Sequence, residues 1–145
     1  LEANPKWFLG PLTNAPGPCK HQSVGPYLEP TVPIHDPTTI ESIQTRLISI
    51  QPGQHRKGAL NGFCMVANTD NWWRHASNPE AVFNPHIKMV GNEDEFQRRV
   101  KKKARGSTHV VHDAYVFHFR GTSRGLQGHK AGSTRLEHHK QFKIE

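Results

Sequence analysis

Gly91-Asn92-Glu93-Asp94-Glu95-Phe96 opens a segment whose beginning and end can both be read from residue chemistry. Asn92 can cap a helix, Glu95 stands three residues on as in a capping box, and Phe96 and Val100 share a face. The pattern predicts a helix over 91–105, ended by Gly106. Carboxylates in a first helical turn are stabilised by unpaired backbone amides and the helix dipole, by about 0.3–1 kcal/mol each. On spacing alone, Glu93, Asp94 and Glu95 therefore read as a helix opening. The same carboxylates would also serve as proton acceptors if they faced a substrate.

Working toward the N-terminus, 78–85 reads as a loop and 70–75 as a short helical turn carrying Trp72 and Trp73. The run 60–67 is mostly apolar but broken by Asn61 and Gly62, and 63–67 reads as a buried strand. Within it, Cys64 is expected to be a buried, inert thiol. Ile40, Ile43, Leu47 and Ile50 give 38–50 one apolar helical face, closed by Pro52 and Gly53. Residues 1–38 are rich in proline and glycine and read as a loop-rich connection. Toward the C-terminus, 109–111 and 115–119 read as short strands around a turn at His112 and Asp113, and 124–145 as a basic flexible tail. The order of elements predicts an α/β or α+β unit.

The formal charge is +7, with acidic and basic residues balanced up to residue 87 and the whole excess beyond it. A basic surface attracts polyanions, whether nucleic acid, anionic lipid or a diphosphate. Two cysteines, Cys19 and Cys64, are too few for a disulfide framework or a cysteine-rich zinc site. No apolar run approaches the roughly 20 residues that cross a bilayer, and the N-terminus lacks a basic-then-apolar leader pattern. The expected location is cytoplasmic, at a membrane periphery or within an assembly.

Four segments occur in a telling order: Gly10-Pro-Leu-Thr-Asn14, Leu60-Asn-Gly-Phe-Cys-Met-Val66, Gly91-Asn-Glu-Asp-Glu-Phe96 and Val110-Val-His-Asp-Ala-Tyr-Val-Phe-His-Phe119. Together they resemble the second half of family 2 glycosyltransferases over roughly residues 8–123. The resemblance implies an α/β, Rossmann-like partial GT-A fold with extended termini, its C-terminal half at 39–123. The implied reaction is inverting transfer of a sugar from a nucleotide-sugar to a hydroxyl acceptor. Asp94 matches the family's general base. An alcohol is a poor nucleophile until its proton has somewhere to go, and a positioned base contributes about 10²–10⁴-fold. Glu93 is implied as a neighbour that binds acceptor or orients the loop.

Asn61 and Gly62 match the donor-side strand, where a missing side chain lets the backbone approach the sugar; a simple turn or bulge explains them equally. His118 stands near the family's metal-binding histidine, suited to Mn²⁺ or Mg²⁺, and a hydrogen-bonded histidine is the alternative. His112 is a less well placed competitor. Trp72 and Trp73 can stack on a sugar or pack in the core, and adjacent helical positions allow one of each. Arg98, Arg99, Lys101, Lys102, Lys103 and Arg105 read as a solvated helix face. With Arg120, Arg124 and Lys130 they could also hold a diphosphate.

The pattern departs from the family in two respects: no Asp-x-Asp metal motif occurs, and no glycine-rich phosphate loop follows a strand. A divalent metal is thus implied only if another part supplies that motif. The start at Leu1 suggests a later part of a longer protein; a partner chain carrying the donor half, or a degenerate domain kept for architecture, are the other readings. The competing functions are a non-catalytic interaction module and, ranked last, nucleic-acid binding. The last lacks interleaved aromatics, zinc spacing and a recognition helix.

Overall fold

The computed structural model describes residues 2–87, 91–102 and 106–119. It is a mixed α/β arrangement with strands β1 (Trp7–Leu12), β2 (His55–Lys57) and β3 (Ser107–Tyr115), and helices α1 (Ile40–Ile50), α2 (Thr69–Arg74) and α3 (Asn92–Lys102). β3 is the central strand of the three, parallel to β1 and antiparallel to β2.

β1 lies inside the stretch expected to be loop. Proline and glycine argue against a strand because they remove a donor and a side chain, but both fit this edge position. Leu9 and Thr13 point their N–H groups outward, to Val66 O and Gln22 O at 2.8 Å each. Pro11 has the same parity, so its missing donor falls on the outer edge, where a strand tolerates proline. Gly10 is required by close approach: a Cβ there would stand 2.8 Å from Leu60 Cδ2.

The strand expected over 63–67 is not formed. One antiparallel bridge, Leu9 with Val66, is its only ladder pairing among the described residues. Upstream of that bridge the chain is held by side chains. Leu60 N donates to Gln97 Oε1 and Leu60 O accepts from Gln97 Nε2, both at 2.7 Å. Asn61 N donates to Gln22 Oε1 at 2.6 Å. Buried backbone groups need partners, and two glutamines supply what a neighbouring strand would have. Cys64 is half-buried rather than buried, and both thiols are free.

The two short strands expected around His112 and Asp113 are one strand with a bulge. Pro11 pairs with Val111 but Leu12 pairs with Tyr115, so residues 112–114 stand out of register without reversing the chain. α1 holds the bulge: Gln44 donates to Asp113 O and accepts from Tyr115 N, both at 2.7 Å. Residues 116–119 follow without regular structure.

α1 forms as its spacing predicts, burying Ile43 and Leu47 and preceded by a 3-10 turn at Pro37–Thr39. α3 forms too, but not through a capping box. Gly91 O accepts from Glu95 N at 2.9 Å, while the Asn92 amide reaches Ile87 O at 2.7 Å. Glu95 finds a stronger, charge-assisted partner one turn on, with Arg99 Nε and Nη2 at 2.8 and 2.9 Å. Arg99 also donates to His75 O and to Val82 O and lies over the Phe96 ring, 5.2 Å from its centroid. It is therefore a tie between α3 and the 75–82 loop rather than part of a solvated face; Arg98, Lys101 and Lys102 are exposed.

Trp7, His55 and His109 cluster where β2 meets β3, with the Trp7 and His109 rings stacked at 3.9 Å. Burial first, then His55 and Lys57, holds His109 below its ordinary value of 6.5. Burial, Arg56 and His55 do the same for His112, with Asp113 opposing them. Both histidines are thus neutral in the folded chain at pH 7, and the unfolded chain takes up protons first on acidification. The associated stability is complete above pH 6.5 and declines below it until the folded forms are themselves protonated. Thermal melts should show a falling midpoint from neutral to mildly acidic pH, and His109→Gln should flatten that slope. Among the described residues, no helix is long and apolar enough to cross a membrane.

Candidate functional site

Parallel pairing of β1 with β3 puts the carboxyl ends of both strands at the same end of the sheet. β1 runs into Thr13, Asn14 and Ala15, and β3 runs on to Phe117 and His118. The two exits are tied together, because Asn14 Oδ1 accepts from His118 N at 2.8 Å. The His118 ring stacks on Phe63, with centroids 4.9 Å apart and 14° between planes, and its Nδ1 lies 3.4 Å from Ala15 O.

Phe63 leads directly back to Asn61 and Gly62. The Asn61 side chain donates to Pro16 O at 3.1 Å, fastening this loop to the Pro16-Gly17-Pro18-Cys19 turn. Gly62 meets the first turn of α3: a Cβ on it would stand 2.8 Å from both Cβ and Cγ of Glu93. The side chain that Gly62 lacks is thus replaced in space by that of Glu93. Asp94, the next residue on the helix, is exposed. The Cys19 thiol reports the same neighbourhood: burial pushes it up, and the Asp94 and Glu93 carboxylates push it the same way. Cys19 is correspondingly a poor nucleophile in its folded setting.

Five of the residues singled out in the sequence, Asn61, Gly62, Glu93, Asp94 and His118, therefore fall into one neighbourhood. Comparison with protein-family models, with curated proteins and with solved structures finds no match to this chain. The site rests on its own geometry.

The tryptophans divide as adjacent helical positions allow. Half-buried Trp72 stacks on Phe96 and meets Phe8 edge-to-face, with ring centroids 5.0 Å from each, which gives it to the core packing. Trp73 is 51% exposed and keeps an open ring. Arg120 and the 124–145 tail lie outside the described residues. No group of three or more His, Cys, Asp or Glu is arranged to hold a metal among the described residues. His118 does not gather a ligand set on its own, and His112 instead lies against the Tyr27 ring and hydroxyl.

Asn14, Cys19 and Gln97 take part in this neighbourhood without having been assigned roles from sequence. Gln97 did leave a signal. Glu93, Phe96, Gln97 and Val100 follow the i, i+3, i+4, i+7 spacing of one helix face, so a glutamine stands among positions that the fold buries.

Proposed function

We propose that this chain is the acceptor-side part of a family 2-like, GT-A-type glycosyltransferase, working with a donor-binding half supplied elsewhere. The observation that carries the reading is the convergence of Asn61, Gly62, Glu93, Asp94 and His118 at the carboxyl ends of two parallel strands. Segments far apart in sequence thus meet at one place.

In this reading the Asp94 carboxylate accepts the proton of the acceptor hydroxyl. The freed oxygen attacks the anomeric carbon of the donor sugar as the bond to the nucleotide diphosphate breaks, with inversion and departure of the diphosphate. Glu93, seated on Gly62, fixes the depth of the helix start and leaves Asp94 facing solvent and acceptor. His118 is the residue this chain would contribute toward a divalent metal. The described side chains do not by themselves complete a metal site.

The test is a transfer assay on the protein as isolated, together with any chain that copurifies, using a panel of nucleotide-sugars and hydroxyl acceptors. Turnover by a preparation containing an Asp-x-Asp-bearing chain, inverted at the anomeric carbon, supports the proposal. A natural protein that proves to be this 16.4 kDa chain with no donor-binding half in the same chain or a copurifying one, and that transfers no sugar, would overturn it in favour of an architectural or interaction module. In a third outcome, nucleic-acid affinity that falls steeply with salt would redirect attention to the +7 charge.

A further inference from the structure

We propose that Gln97 is a positioning residue for Glu93 and Asp94, acting by clamping the Leu60 backbone so that Gly62 is held as a floor beneath Glu93. The inference rests on the reading of Glu93 and Asp94 as the working end of the site.

The geometry forms a closed circuit. Gln97 lies one turn after Glu93 on α3, on the same face. Its amide takes both backbone groups of Leu60, donating to the carbonyl and accepting from the N–H at 2.7 Å each. Two residues later the chain passes under Glu93 so closely that Gly62 has no room for a Cβ. The helix therefore grips the loop at one turn and rests on it at the turn before. Gln22 steadies the circuit from the other side. Its amide accepts from Asn61 N at 2.6 Å and donates to Pro11 O at 2.9 Å, which ties the loop to β1. Gln22 is 0% and Gln97 3% exposed.

Burying two neutral amides is favourable only when their polar atoms are paired, and each here pairs with backbone on both its oxygen and its nitrogen. A methionine at position 97 would fill similar volume but could bond to neither group of Leu60. Packing alone does not call for glutamine; the position of the 60–62 backbone does.

Cys19 offers a readout that needs no enzymatic activity, because Asp94 and Glu93 both act on its thiol. The experiment measures the pH dependence of Cys19 alkylation in the full chain, with Cys64 resolved by peptide mass. Gln97→Met and Gly62→Ala act by different routes, the first freeing the floor and the second pushing Glu93 off it. Both should raise the Cys19 alkylation rate by about three-fold at mildly alkaline pH, where the thiolate is the minor form, and should move the profile to lower pH. Val100→Ala removes core packing from the next turn of the same helix without touching the clamp, and should leave the profile unchanged.

A wild-type profile in folded Gln97→Met would overturn the proposal, as would an equal change in Val100→Ala. If Gln97→Met does not fold, Gln97→Leu is read in its place, since it is neutral and apolar and can bond to neither backbone group of Leu60. The same two outcomes then decide. The thiol profile is independent of sugar transfer, so failure of the transferase reading would leave this result standing, and the reverse.

Discussion

If Asp94 is the base of the proposed transferase, Asp94→Asn should lower sugar transfer by the protein complete with its donor half by about 10²–10⁴-fold while donor binding and folding survive. The size follows from the role: asparagine keeps the shape of aspartate and can still accept a hydrogen bond, but it cannot take a proton from an alcohol. Folding should hardly change, because Asp94 is exposed and its first-turn charge contributes about 0.3–1 kcal/mol at most. Glu93 and Glu95 keep the helix start acidic, and Glu95 remains paired with Arg99. The check is a steady-state comparison with the donor dissociation constant measured separately, alongside a melting curve. Retained turnover would remove Asp94 from the role of base. A loss of donor binding equal to the loss of turnover would make it a binding residue instead.

The largest effect on stability is expected for Phe96→Ala, at about 3–5 kcal/mol. Phe96 is fully buried, stacked on Trp72 at 5.0 Å and in ring contact with Phe8 and Phe83 at 5.2 Å each. The Arg99 guanidinium lies over the same ring, so truncation also removes the surface under the tie between α3 and the 75–82 loop. Domains of this size are stable by about 5–15 kcal/mol in all, so the variant should be close to unfolding at room temperature. Urea titration followed by tryptophan fluorescence reads this directly, since Trp72 belongs to the same cluster. Phe83→Ala, at a ring already 36% exposed, should cost far less.

The legible parts of the fold were those set by local chemistry. α1 follows from four apolar residues at helical spacing, and α3 from its acidic start and basic end. The illegible parts depend on contacts distant in sequence. β1 hides among prolines because only its edge position excuses Pro11. Residues 63–67 read as a strand because apolar runs usually are, yet among the described residues their one ladder pairing is the bridge of Val66 with Leu9, and just upstream the backbone of Leu60 and Asn61 is held by Gln97 and Gln22, which no local pattern announces. The bulge at 112–114 was visible as an irregularity and misread as a reversal, since the glutamine that carries the strand past it lies on α1. Glu93, Asp94, Asn61, Gly62 and His118, singled out through their motif order, lie in one neighbourhood. Cys19 and Asn14 were given no role because their part is purely spatial. The helical stripe containing Gln97 was readable from its spacing, though only Phe96 and Val100 were singled out on it.

The glutamine clamp on Leu60 also has a dynamic consequence. An amide hydrogen in a strand exchanges with solvent when the sheet frays, but the Leu60 hydrogen is shielded by a side chain from α3. It can be released only when that helix lifts away or its glutamine changes rotamer, so its exchange rate should follow movements of α3 and not those of β1 beside it. A single loop amide becomes a clock for the helix that carries the carboxylates. Its protection factor measures how often the site comes apart without the whole chain unfolding.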